Sequence, residues 1–139
     1  MGNKYSQYTF GAGEVLKSAG LVATSTDGLI IDVGSGLVDA VLVFDVTEIE
    51  TASLDERYTI SLEGSNVATM TSGSVCLAKK VFGNLVVPMD AALATPGRYI
   101  VPFRNEENGQ TFRYLRLSTL VAGTVATGIG FSCFIGVRD

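Results

Sequence analysis

Apolar and polar residues alternate one by one along much of this chain and seldom recur every three or four positions, so the pattern predicts strands and turns rather than helices. Alternation starts at Tyr8 and Phe10. A strand is predicted at Leu21–Ser25, ending in the turn Ser25-Thr26-Asp27-Gly28. Leu29–Val33 follows and is stopped by Gly34-Ser35-Gly36. Leu37–Glu48 reads as a longer strand. Val41, Val43, Asp45 and Thr47 fall on one face, and Ala40, Leu42, Phe44 and Val46 on the other. Both faces are largely apolar, which places this strand in the middle of its sheet. Glu48 to Arg57 is a polar connection, and Tyr58–Glu63 is again a strand.

Val75–Ala78 and Val81–Pro88 read as short strands, and Asp90–Ala94 as one helical turn. The stretch GRYIVPFRNEENGQTFRYLRLSTL, residues 97 to 120, reads as a hairpin. Tyr99–Arg104 is its first strand, demoted to an edge or a bulge by Pro102. Asn108-Gly109 supplies the type I′ turn. The second strand puts Leu115 and Leu117 on one face and Phe112, Tyr114, Arg116 and Ser118 on the other. Gly128–Arg138 is the last strand. About eight strands with no helix predict an all-β, single-domain β-sandwich over residues 1–139, with a small barrel as the alternative. A jelly roll is one eight-stranded solution. Residues 1–10 are expected to form an N-terminal arm.

Composition narrows the chemistry. The 139 residues carry a net charge of −4, unevenly spread. Residues 1–60 hold nine acids and three bases, whereas residues 98–139 hold five arginines and three acids. An acidic total argues against nucleic acid as a ligand, and the asymmetry suits a charged protein partner. Histidine is absent, which removes the commonest general base and metal ligand. Cys76 and Cys133 lack metal-ligand spacing. They are expected to be buried free thiols, with a disulfide between them as the alternative. No apolar leader is visible in MGNKYSQYTF. Leu117 to Val137 is uncharged and long enough to span a bilayer, but its glycines and period-two alternation read as strand.

Several motifs resemble chemical signatures. Ile31-Asp32-Val33-Gly34-Ser35-Gly36 resembles a glycine-rich nucleotide loop, but an extended segment follows it where a helix start is needed. Gly123 to Gly128 has the outer spacing of a phosphate loop, with Ile129 where the lysine must stand. Met1-Gly2-Asn3-Lys4-Tyr5-Ser6 fits an N-myristoylation pattern, which short starts match by chance. The carboxylates at Glu106-Glu107 and at Asp45, Glu48 and Glu50 read as solvated tips. No catalytic, cofactor-binding or metal-binding set can be assembled, so no enzyme activity and no cofactor are expected. What survives is an aromatic and arginine set of the kind enriched at protein interfaces: Phe112, Tyr114 and Arg116, joined by Arg98 and Arg104 from the neighbouring strand, and by Tyr5 and Tyr8. Cross-strand packing with arginine stems over apolar surface is the alternative for these residues.

Read in order, STDGLIIDVGSG (25–36), LVDAVLVFDV, RYTISLEGS (57–65), GRYIVPF (97–103), RYLRL (113–117) and GIGFSCFIGVRD (128–139) resemble the jelly-roll cement, or decoration, proteins of tailed-phage capsids with an HK97-type shell. The likeness spans nearly the full length and is strongest at IIDVGSG, YTISLEGS and RYLRL. Residues 66–96 and Asn105–Asn108 match less well. The resemblance implies a structural virion protein on the outer capsid surface, made in the host cytoplasm. It would bind the major capsid protein and itself, as a homodimer or alternatively a trimer, with no cofactor, nucleic acid or membrane. A carbohydrate-binding module and a low-copy head–tail or tail structural protein are the alternatives.

Overall fold

The computed structural model describes residues 15–84 and 94–136. Eleven strands fall within them: β1 (Val15–Val22), β2 (Thr26–Asp27), β3 (Ile31–Asp32), β4 (Asp39–Ile49), β5 (Arg57–Ser65), β6 (Val75–Gly83), β7 (Gly97–Arg104), β8 (Glu106–Glu107), β9 (Gln110–Thr111), β10 (Tyr114–Ala122) and β11 (Ile129–Gly136). One sheet has the order β1-β11-β4-β7. A second has the order β2-β10-β5-β6, with β3 also on β10. All the pairings are antiparallel. Taken with β2 and β3 as one broken strand, the eight main strands run 1-8-3-6 in one sheet and 2-7-4-5 in the other. That is a jelly roll.

The alternation seen in sequence builds the core. Leu42, Phe44 and Val46 of β4 face Tyr58, Ile60 and Leu62 of β5 across the sandwich, with Leu115 and Leu117 of β10 and Phe131 and Cys133 of β11 in the same cluster. Aromatic rings knit the two layers. Phe44 meets Phe82 edge-on at 6.3 Å and Phe131 at 6.2 Å, and Phe82 meets Tyr99 edge-on at 5.0 Å. Each such ring contributes roughly 1.5–3 kcal/mol by leaving water. Lys17 on β1 closes the seam. Its ammonium lies 4.4 Å from the centre of the Phe131 ring and donates to the Phe131, Gly20 and Ser18 carbonyls. Burial pushes its pKa down.

The central position predicted for β4 holds, but other boundaries moved. The first strand lies at Val15–Val22 rather than Leu21–Ser25. Leu29–Val33 is not one strand. The chain pairs with β10 at Thr26–Asp27, bulges through Gly28 to Ile30, and pairs again at Ile31–Asp32. Val75–Ala78 and the start of Val81–Pro88 join as the single strand β6, which takes up a register shift opposite Leu62/Glu63. The predicted helical turn at Asp90–Ala94 lies, but for Ala94, outside the described residues. Leu117 to Val137 resolves into β10, a turn and β11, and no described helix is long and apolar enough to cross a membrane.

The largest correction concerns the hairpin at 97–120. Its turn is as predicted: Asn108 and Gly109 have φ of 52° and 81°, both positive as a type I′ turn requires. The turn closes only a small finger, β8 with β9. The finger ends at the 2.7 Å bond from the Phe112 N–H to the Asn105 carbonyl, where both side chains are buried. The buried Asn105 side chain accepts from Val38 N at 2.6 Å and donates to the Gly36 and Phe112 carbonyls at 2.9 and 3.0 Å. There the chain crosses between sheets, so β7 pairs with β4 and β10 pairs with β5.

Candidate functional site

That crossing divides the predicted interface set. Tyr114 and Arg116 lie on the outer face of the sheet built on β10 and β5. Phe112 does not join them. It is buried, packed so close to Gly64 that a Cβ there would stand 3.0 Å from the Phe112 Cβ. Arg98 and Arg104 sit on β7, at the edge of the other sheet. Tyr5 and Tyr8 lie outside the described residues.

The three strongest segments of the sequence pattern come together on that outer face. In register, Tyr114 stands between Asp32 of β3 and Ser65 of β5, and Arg116 opposite Glu63. Arg116 Nε donates to Glu63 Oε1 at 2.9 Å, and its Nη2 lies 3.8 Å from Asp27 Oδ2. Asp27 also accepts from the Ser118 hydroxyl at 2.9 Å. Arg113 grips Asp32 with two hydrogen bonds of 2.8 and 2.9 Å, and its guanidinium lies 5.6 Å from the Tyr114 ring centre. The Arg113 hydrogen bond, with that of the Gly34 N–H, holds the Asp32 carboxyl below the usual carboxylate range. The face is therefore a lattice of charges paired strand to strand.

On the other sheet, Arg98 takes Asp45 in a two-bond grip of 2.7 and 3.0 Å. Arg104 differs from the other arginines of this stretch. It stands 3.8 Å from Asp39 and 3.9 Å from Glu106, beyond hydrogen-bond range of either. It lies at the mouth of an open hollow of about 400 Å³ lined by Asp39, Leu77, Pro102, Phe103, Arg104 and Glu106. Among the described residues, no three Cys, Asp or Glu side chains are grouped to hold a metal ion. Cys133 is buried and its thiol is pushed up to about 12, first by desolvation. Both cysteines are free, and Cys76 is exposed rather than buried as expected. They stand on strands of different sheets.

Glu50, expected as a solvated tip, belongs instead to a set of carboxylate clamps at one end of the sandwich. The Glu50 carboxylate accepts from the N–H groups of Ala126, Thr127 and Gly128 at 2.6–3.1 Å, and from the Thr127 hydroxyl. Those bonds, led by Gly128, hold its pKa down. Asp55 takes the N–H and hydroxyl of Thr124, both at 3.0 Å, and is lowered likewise. Fully buried Glu56 accepts from the N–H groups of Ser53 and Asp55. Tyr58 donates to the Glu50 carbonyl, and burial, with the charges of Glu50 and Glu56, pushes its phenol up to about 12. A polar stretch between strands reads as solvated loop, and only the fold shows which backbone donors its acids meet.

No protein-family model matches this chain. No curated protein matches it in sequence either.

Proposed function

We propose that this protein is a capsid cement protein: a structural virion component that binds the outer surface of a tailed-phage shell and strengthens contacts between major capsid subunits. It acts by binding, as a homo-oligomer, with no cofactor and no chemistry of its own. The observation that carries the reading is where the segments of the resemblance fall. Strands β3, β10 and β5, which hold IIDVGSG, RYLRL and YTISLEGS, lie side by side as one paired-charge surface. Such a surface suits broad docking onto another protein and gives a small molecule little to enter. Many copies, each burying modest area, multiply their effect through symmetry.

A sugar-binding module would want Tyr114 as an open stacking platform. Tyr114 is instead half-buried, with the Arg113 guanidinium beside its ring. The test is sedimentation of the purified protein with cement-free capsids, compact and expanded. Saturable co-sedimentation at a copy number comparable to the major capsid protein is expected. Absence from both pellets would end the reading and make a binding screen against immobilised glycans the next experiment.

A further inference from the structure

Among the described residues, three that are not glycine have positive φ: Leu54 at 63°, Met70 at 51° and Asn108 at 52°. Asn108 belongs to a turn that requires this conformation, and asparagine tolerates it. Met70 is strained, but its side chain is buried, 3% exposed, so packing offsets the cost. Leu54 obtains nothing of the kind. It is 76% exposed, the most exposed of the large hydrophobic residues described. A γ-branched apolar side chain is thus held in a disfavoured conformation and pointed into water.

The surrounding structure enforces this. Glu56 grips the N–H groups on either side of Leu54, those of Ser53 and Asp55, at 2.9 and 3.0 Å. The Leu54 N–H donates to the Thr51 carbonyl, which also accepts from the Asn84 side chain at 2.7 Å. Asp55 is tied to Thr124, and Gly123 beside it has a φ of 94° and no room for a Cβ, which would stand 2.2 Å from the Asp55 carbonyl oxygen. Local strain persists only where the surroundings over-determine it, and it gathers at functional sites. A rigid loop presenting one apolar side chain loses little conformational freedom on docking.

Charge states what it docks on. Residues 48–57 present Glu48, Glu50 and Asp55 at the surface against Arg57 alone, with Glu56 buried beneath them, and the adjoining connections 23–25 and 123–128 add no charge. This end of the sandwich is acidic. The hollow on the protein's own surface sets one base, Arg104, against two acids, Asp39 and Glu106, so a second copy offers a rim of net negative charge. We infer that Leu54 is a preorganised anchor for a different protein, one that offers a leucine-sized apolar pocket rimmed by lysine or arginine. Resting on the cement reading, that partner is the major capsid subunit.

The test measures binding isotherms of the full chain on expanded cement-free capsids, at low and high salt, beside thermal melts. Leu54→Gly and Leu54→Asn both suit positive φ and remove the anchor. Both are expected to melt higher than the parent and to bind at least about tenfold more weakly, as loss of a central interface anchor does. Parent binding should weaken as salt rises. Variants that bind like the parent overturn the anchor and leave the cement reading standing. Salt-independent parent binding overturns the basic rim. A parent protein that binds no capsid ends the cement reading and the anchor's assignment to the capsid subunit together.

Discussion

The two sheets finish their outer faces by opposite means. On the sheet containing β4, Val15, Phe134, Val43 and Ile100 stand in register as one apolar row across four strands. Val43 points away from the sandwich core and is nonetheless 0% exposed, and Val41 on the same side is buried too. On the sheet containing β10, the matching surface is Ser, Thr, Lys and paired ions. At its centre the first face is buried and punishes any unpaired charge, while its margins carry the exposed Val15 and Ile100 and the Arg98–Asp45 pair. The second is held by exposed or half-exposed pairs, each worth little by itself.

The comparison breaks most sharply at Val43. Val43→Asp is expected to cost about 3 kcal/mol or more, since it places an unpaired carboxylate in a buried site. Urea titration checks this, and a loss below about 1 kcal/mol would mean that water reaches the row. Asn105→Ala, at the crossing between the sheets, should cost about 2 kcal/mol by orphaning the Val38 N–H and the two carbonyls it serves. Arg116→Ala should cost about 1 kcal/mol, because Glu63 and Asp27 lose a shared partner while keeping access to water. Ser61→Asp, in the row between Ser118 and Lys79, should fall within about 0.5 kcal/mol of the parent.

Acid sharpens the same contrast. Asp32, Glu50 and Asp55 have folded pKa values below their usual ones. Each therefore adds stability at pH values above the ordinary carboxylate range of about 4, and loses it as pH falls through the depressed folded value. Melting temperature should stay level from neutral pH to about 5 and drop below about 4. Arg113→Ala should flatten the part of that drop owed to Asp32. An unaltered acid limb in the variant would show that the Arg113 pair does not set it.

Strands whose alternation is set by burial could be read from the chain. β4, β5, β10 and β11 were legible because Leu42, Ile60, Leu117 and Phe131 each repeat at period two into one core. β1 was not, because its burial is broken by two register shifts against β11 and by Lys17 turned into the seam. The hairpin misled for a related reason. Asn108-Gly109 reports a turn truly but says nothing of how far pairing continues, and Asn105 ends it through contacts to residues about seventy positions away. Of the predicted interface, Tyr114 and Arg116 share a face as alternation required. Phe112 obeys the same alternation on paper but lies before β10 begins, so it is free to turn inward. Leu54 was invisible, since an isolated leucine in a polar connection has no periodicity and its φ is fixed by Glu56, Asn84 and Thr124.

The two thiols give the molecule a built-in reporter. Cys133 is sealed in the core with its ionisation pushed far above neutral, while Cys76 stands exposed on β6 in register with Glu63, the partner of Arg116. Thiolate is the reactive form. A maleimide dye should therefore mark one cysteine per folded chain and two per unfolded chain, with no engineered mutation. A label at Cys76 sits on the charge-paired face, at the opposite end of β6 from Gly83, which packs on Glu56 of the Leu54 loop, so its quenching or protection on assembled particles would say which side of the protein meets its neighbour.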